Sequence, residues 1–124
     1  FDINIPANSQ AFIANASNTG GLAVPSPPAA FFNVNAGDAA RVDALATPFP
    51  LGCFVERLKL SGRQRTIKTK TYVHGTILPR ESPFKPFYER VKVDPAWTAH
   101  TLPCGHHMML DMPERVAEIL EASA

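Results

Sequence analysis

The chain has 124 residues, 45% of them hydrophobic and 19% charged, with twelve basic and eleven acidic side chains and a formal net charge of +1. That is enough length for one domain with a modest core, and the balanced charge excludes the basic stripe that a nucleic-acid partner requires. No apolar run reaches the length of a membrane span, and no basic stretch followed by an apolar one marks a secretory leader. Cys53 and Cys104 make neither a disulfide framework nor a zinc motif. Free thiols in a reducing, cytoplasmic setting are therefore expected, with a single disulfide between them left open. The first residue is Phe1 rather than Met, so the numbered chain is expected to begin after processing, cleavage or trimming.

In chain order, Ser9 to Asn15 reads as a short helix, ended by Gly20-Gly21, and Leu22 to Val24 as a short extended piece. Pro25-Ser-Pro-Pro28 must be extended or turn-like, because proline fixes φ and restricts the residue before it. Asp38 reads as the N-cap of a helix through Leu45, closed by Pro48 and Pro50. Short helices between proline-rich turns make a lid rather than a core. The basic run Arg63, Arg65, Lys68 and Lys70 has no interleaved aromatics and reads as a solvated loop and strand edge.

The second half reads as strand, helix, strand, helix. Thr66 to His74 alternates, with Ile67, Thr69, Thr71 and Val73 on one face and Lys68, Lys70, Tyr72 and His74 on the other. Phe84, Phe87, Tyr88 and Val91 make a helical stripe after Ser82-Pro83, with Pro86 disturbing the first turn. Trp97 to Leu102 is the second strand. Asp111-Met-Pro-Glu114 starts the last helix as a capping-box-like pattern, and Val116, Ile119 and Leu120 form its buried stripe. Strands separated by helices imply an α/β fold with parallel pairing. So small a parallel sheet should continue into polypeptide outside this chain.

The chemistry concentrates at Gly105-His106, at the carboxyl end of the last strand, where open α/β sheets place their sites. A histidine there can serve a serine as general base; the plainer reading is a surface histidine in a tight turn. A nucleophilic pair of Cys104 with His106 is chemically conceivable but awkward on one short loop. A metal set from His100, Cys104, His106 and His107 matches no standard spacing, so no metal and no cofactor are expected. His74 and His100 read as strand-face residues.

Gly105-His-His-Met-Met-Leu-Asp-Met-Pro-Glu114 resembles the C-terminal histidine motif of the α/β-hydrolases, in the branch of plant methylesterases, hydroxynitrile lyases and bacterial esterase-like relatives. Thr71 to His74 looks like the penultimate core strand, Ser82 to Arg90 like the helix after it, and Pro25 to Phe54 like the lid and re-entry region. The resemblance implies residues 1–58 as lid and residues 59–124 as the C-terminal part of the hydrolase core. It carries His106 over as the catalytic histidine of a serine–histidine–acid triad; His107 falls at a variable position. Phe31, Phe32, Phe49 and Phe54 make the lid apolar. Phe32 and Phe54, with Met108, are candidate pocket residues for a small apolar or aromatic ester.

The departures from the family are specific. Ser9, Ser17, Ser26, Ser61, Ser82 and Ser123 all lack the Gly-x-Ser-x-Gly context of the nucleophile elbow. Glu81 is the only carboxylate near the loop where the family often places its acid. The nucleophile, the oxyanion hole and the acid are therefore expected in a separate N-terminal polypeptide of the same enzyme, this chain being its cleaved C-terminal piece. The expected partners are that polypeptide and a small ester, with a homodimer as a further assembly, and neither nucleic acid nor membrane. A hydroxynitrile-lyase-like enzyme, or a binding protein that has lost the triad, are the alternatives on this fold.

Overall fold

The computed structural model describes residues 6–56, 59–78 and 82–124. Within them the chain mixes short helices with two small sheets. α1 spans Pro6–Ala16, α2 Ala36–Leu45, α3 Gly52–Val55, α4 Lys85–Val91, α5 Met108–Asp111 and α6 Pro113–Ala122. β1 (Ala23–Val24) pairs antiparallel with β2 (Phe49–Pro50), and β3 (Thr71–Gly75) pairs parallel with β4 (Thr98–Leu102). Among the described residues no helix is long and apolar enough to cross a membrane.

α1 starts three residues earlier than the apolar pattern alone indicated, with Pro6 at a position whose missing N–H costs nothing. It passes through a 3-10 turn, Ser17–Thr19, into Gly20 at φ 69°, the left-handed cap that only glycine adopts without strain. An unforeseen 3-10 turn, Ala29–Phe32, follows the prolines, and its Ala29 amide donates to Asp43 Oδ1 at 2.6 Å. The N-cap of α2 is Asn35, not Asp38. Its Oδ1 accepts from the Asp38 amide at 3.0 Å, and Asp38 sits inside the first turn, where its charge suits the helix dipole.

β3 begins five residues later than the alternation suggested: Arg63–Thr66 is a 3-10 turn, and Ile67 is 54% exposed. Alternation marks which residues can pair, but the length of the partner decides which do, and β4 has five residues running in register from Thr71↔Thr98 to Gly75↔Leu102. α4 covers one face of this pair. Tyr72 meets Phe87 edge-on at 4.9 Å, His74 stacks on Tyr88 at 4.9 Å, and Phe87 meets Trp97 edge-on at 5.6 Å. Pro86 lies in the first helical turn, where no intrahelical donor is lost. α6 covers the other face: Leu102, Cys104 and Ile119 form the buried cluster, with Val73, Met108, Met112 and Val116 packed on it. Burial of Ile119 contributes about 2 kcal/mol. Leu120, read as part of that stripe, is 65% exposed, because it points roughly a quarter-turn away from Ile119. Cys53 is exposed and Cys104 buried, and both are free.

Candidate functional site

The carboxyl ends of β3 and β4 carry the site. Gly75 ends β3 because a Cβ there would stand 2.3 Å from the Gly105 carbonyl oxygen. Gly105 is a glycine for the same reason on its other side: a Cβ would stand 2.2 Å from the Asn33 carbonyl oxygen and 2.6 Å from that of Phe32. The two glycines let three backbone layers close up, namely the end of β3, the loop after β4 and the 3-10 turn that holds Phe32.

Three consecutive amides in that loop are committed. Cys104 N–H donates to Leu102 O at 2.9 Å, Gly105 N–H to Asp111 Oδ2 at 3.1 Å, and His106 N–H to Phe32 O at 2.9 Å. From the β3 side, Thr76 N–H reaches Leu102 O at 2.9 Å and Ile77 N–H reaches Cys104 O at 3.0 Å. Asn33 Nδ2 donates to Ile77 O at 3.2 Å and ties the 3-10 turn that holds Phe32 to the segment after β3.

The His106 ring therefore stands on a fixed backbone. It stacks against Phe32 at 5.4 Å and Phe84 at 5.8 Å, and lies 5.5 Å from the His107 ring. Partial burial among these rings holds its pKa below the ordinary value of 6.5, and the charge of His107 adds to the depression. At neutral pH the imidazole is thus the uncharged base. Among the described residues neither of its ring nitrogens has a hydrogen-bond partner.

His106 faces a cavity of about 840 Å³. Phe12, Phe31, Phe32, Phe49, Phe54 and Phe84 line it, six of the eight phenylalanines in the chain. Phe54 packs at 4.4 Å from Phe12 and 5.5 Å from Phe49. The polar lining is neutral: the carboxamides of Asn15 and Asn18 and the hydroxyls of Ser26, Thr47 and Ser82. No Asp, Glu, Lys or Arg lines it among the described residues. Such a chamber favours a flat, uncharged ligand with a few hydrogen-bonding groups.

Of the residues singled out from sequence, His106, Phe32 and Phe54 lie together at this cavity. Met108 does not; it packs on the Leu102–Cys104–Ile119 cluster. His107 also stacks against Phe32, at 5.1 Å, and lines a separate cavity of about 630 Å³ with Asp38 and Arg41. Glu81 lies outside the described residues. Cys104 is buried, and its pKa is raised by that burial and then by the Asp111 charge, which is the wrong direction for a nucleophilic thiolate. Among the described residues no group of three His, Cys, Asp or Glu side chains is placed to hold a metal ion. Phe12 and Phe84 escaped the sequence reading, because one sits in a helix of weak periodicity and the other had been counted into the stripe of α4. Asp111 was misread as a helix cap: Met112 occupies the N-cap position of α6 and the Asp111 carboxylate is turned back onto Gly105.

Compared with known proteins, the chain is 34% identical over 95 residues to the carbendazim hydrolyzing esterase of Nocardioides sp. (strain SG-4G), covering 77% of this chain and 39% of that enzyme. It therefore spans well under half the length of this relative. The likeness is to a hydrolytic enzyme. No family model and no solved structure matches.

Proposed function

We propose that this chain supplies the catalytic histidine of a serine esterase of the α/β-hydrolase type, acting on a small, uncharged, aromatic ester. The observation that carries the reading is His106 itself: a neutral imidazole on a rigid strand-end loop, both nitrogens unpartnered among the described residues, at the wall of a phenylalanine-lined cavity without charge. In the proposed reaction a serine attacks the ester carbonyl, His106 Nε2 takes its proton and returns it to the leaving group, and a carboxylate orients Nδ1. The 34% identity to an esterase supports hydrolysis as the reaction class, and carbendazim is the first substrate to try.

Serine, oxyanion hole and acid belong, in this reading, to an N-terminal polypeptide of the same enzyme. The edge of β3 away from β4 pairs with no strand among the described residues, and a two-stranded parallel sheet needs such an extension. Residues 1–58 then act as lid over residues 59–124. His106→Ala in the complete enzyme should lower kcat by about 10⁴-fold or more while leaving the melting temperature near that of the parent. An alanine variant that still turns over aromatic esters at the parent rate would sink the assignment.

A further inference from the structure

The loop that presents His106 is anchored by three consecutive amides, and the anchors differ in kind. Cys104 N–H is held by the Leu102 carbonyl and His106 N–H by the Phe32 carbonyl, both backbone groups that no substitution removes. Gly105 N–H, between them, is held by a side chain, Oδ2 of Asp111. The other oxygen of the same carboxylate, Oδ1, accepts from the Asn35 backbone amide at 3.2 Å and from Asn35 Nδ2 at 3.0 Å. Asn35 is the N-cap of α2 and also donates from Nδ2 to Asp38 Oδ2 at 2.8 Å. One carboxylate thus joins the residue before His106 to the N-cap of the lid helix, Asp111 and Asn35 lying 76 residues apart in sequence.

We infer that Asp111 is the positioning residue of this site: it fixes the His106 loop and couples its geometry to the seating of the lid. The inference rests on the proposed role of His106. A carboxylate that accepts amide hydrogen bonds makes strong, directional, charge-assisted contacts. Asp111 accepts three, divided between the two parts of the site that must be in register for an imidazole to meet a substrate held under the lid. Asparagine in its place is nearly isosteric but has only one acceptor oxygen. Its amide group would confront either the Gly105 N–H or the Asn35 donors, and one side of the bridge must open. Losing an anchor one residue from a general base displaces the base by a fraction of the reach of a hydrogen bond, which is costly in rate and nearly silent in substrate affinity.

The test uses the complete enzyme with 4-nitrophenyl acetate as probe and follows kcat, KM and melting temperature together. Asp111→Asn should lower kcat roughly 30-fold with KM changed less than about threefold. Asn35→Ser retains an N-capping oxygen for α2 but gives up the amide donor to Asp111, and should lower kcat roughly fivefold. The double variant should be no slower than Asp111→Asn alone, because both changes open one bridge. A parent-like kcat for Asp111→Asn, or losses that multiply in the double variant, would overturn the inference. Should Asp111→Asn fail to fold, Asn35→Ser decides: an unchanged kcat overturns the coupling and a reduced one supports it. His106→Ala run alongside separates the two claims. Its inactivity beside a parent-like Asp111→Asn removes only the positioning role, whereas its full activity removes the esterase reading on which that role rests.

Discussion

His106 and His107 are neighbours in sequence, both rings stack on Phe32, and yet they line different cavities. The chamber of His106 measures about 840 Å³ and is walled by phenylalanines and neutral amides; that of His107 measures about 630 Å³ and includes Asp38 and Arg41 beside Val42, Leu45, Met109 and Leu110. Phe32 and Ser26 belong to both, so they are the partition. Two identical side chains have thereby received different surroundings from one turn of backbone. The uncharged side favours the neutral imidazole, the form that the proposed general base requires. The two rings lie 5.5 Å apart, and the charge of His107 acts on His106 across that gap, lowering its pKa.

The partition can be broken from the backbone or from the side chain, and the two should differ. After His106→Ala, the largest effect is expected from Gly105→Ala. Its new Cβ would stand 2.2 Å from the Asn33 carbonyl oxygen, so the turn that holds Phe32 or the histidine loop must move. We expect a loss of stability of about 1–3 kcal/mol, as for overpacking elsewhere, and a fall in kcat of about 100-fold as the His106 imidazole shifts. Thermal melts beside steady-state kinetics measure both; a variant with unchanged kcat would show that the close approach of loop and lid is not what positions the base.

Phe32→Ala attacks the same place differently. The Phe32 carbonyl that accepts from His106 N–H survives the change, while the ring that separates the cavities does not. KM for aromatic esters should rise about tenfold, consistent with the loss of roughly 1.4 kcal/mol of ring contact and burial, and kcat should fall only slightly. A matching collapse of kcat would mean that the ring, and not the backbone, holds the imidazole in place.

How much of this was legible in the sequence follows from which interactions are local. Helices containing Ser9–Asn15 and Asp38–Leu45, a helix carrying Phe87, Tyr88 and Val91 of the expected stripe, and the parallel pairing of the last two strands are all present, although α1 starts three residues earlier, α2 is capped by Asn35 and Phe84 falls at the N-cap of α4. His106 stood out because a glycine and a histidine follow a strand. The misreadings are non-local. Alternation over Thr66–Lys70 continued past the end of the partner strand, and could not announce that β4 has only five residues. Asp38 and Asp111 are both good capping residues by type, but Asn35, three residues ahead of Asp38, took the cap of α2. Asp111 was drawn off its own helix start by donors on Gly105 and on a residue 76 positions away. Likewise, nothing in the spacing of Phe12, Phe49 and Phe84 says that a cavity brings them together.

The smallest effect, and the one that isolates electrostatics from packing, is the influence of His107 on the pH profile. The pKa of His106 is lowered first by burial and second by the charge of His107. In its proposed role of general base His106 works only when neutral, so kcat/KM should fall as pH drops through its pKa, and that acid limb should lie lower than it would without His107. His107→Gln removes the charge while keeping a polar side chain of comparable length. The protonated form of His106 then loses a repulsion, its pKa rises, and the acid limb should move to higher pH, as expected when one charge across a partly solvated gap is removed. The plateau rate above the limb should stay within about twofold of the parent, because the His106 loop keeps every backbone anchor. A limb that moved to lower pH would reverse the sign of the coupling, and a limb that stayed put would leave burial among Phe32 and Phe84 as the whole cause of the depressed pKa.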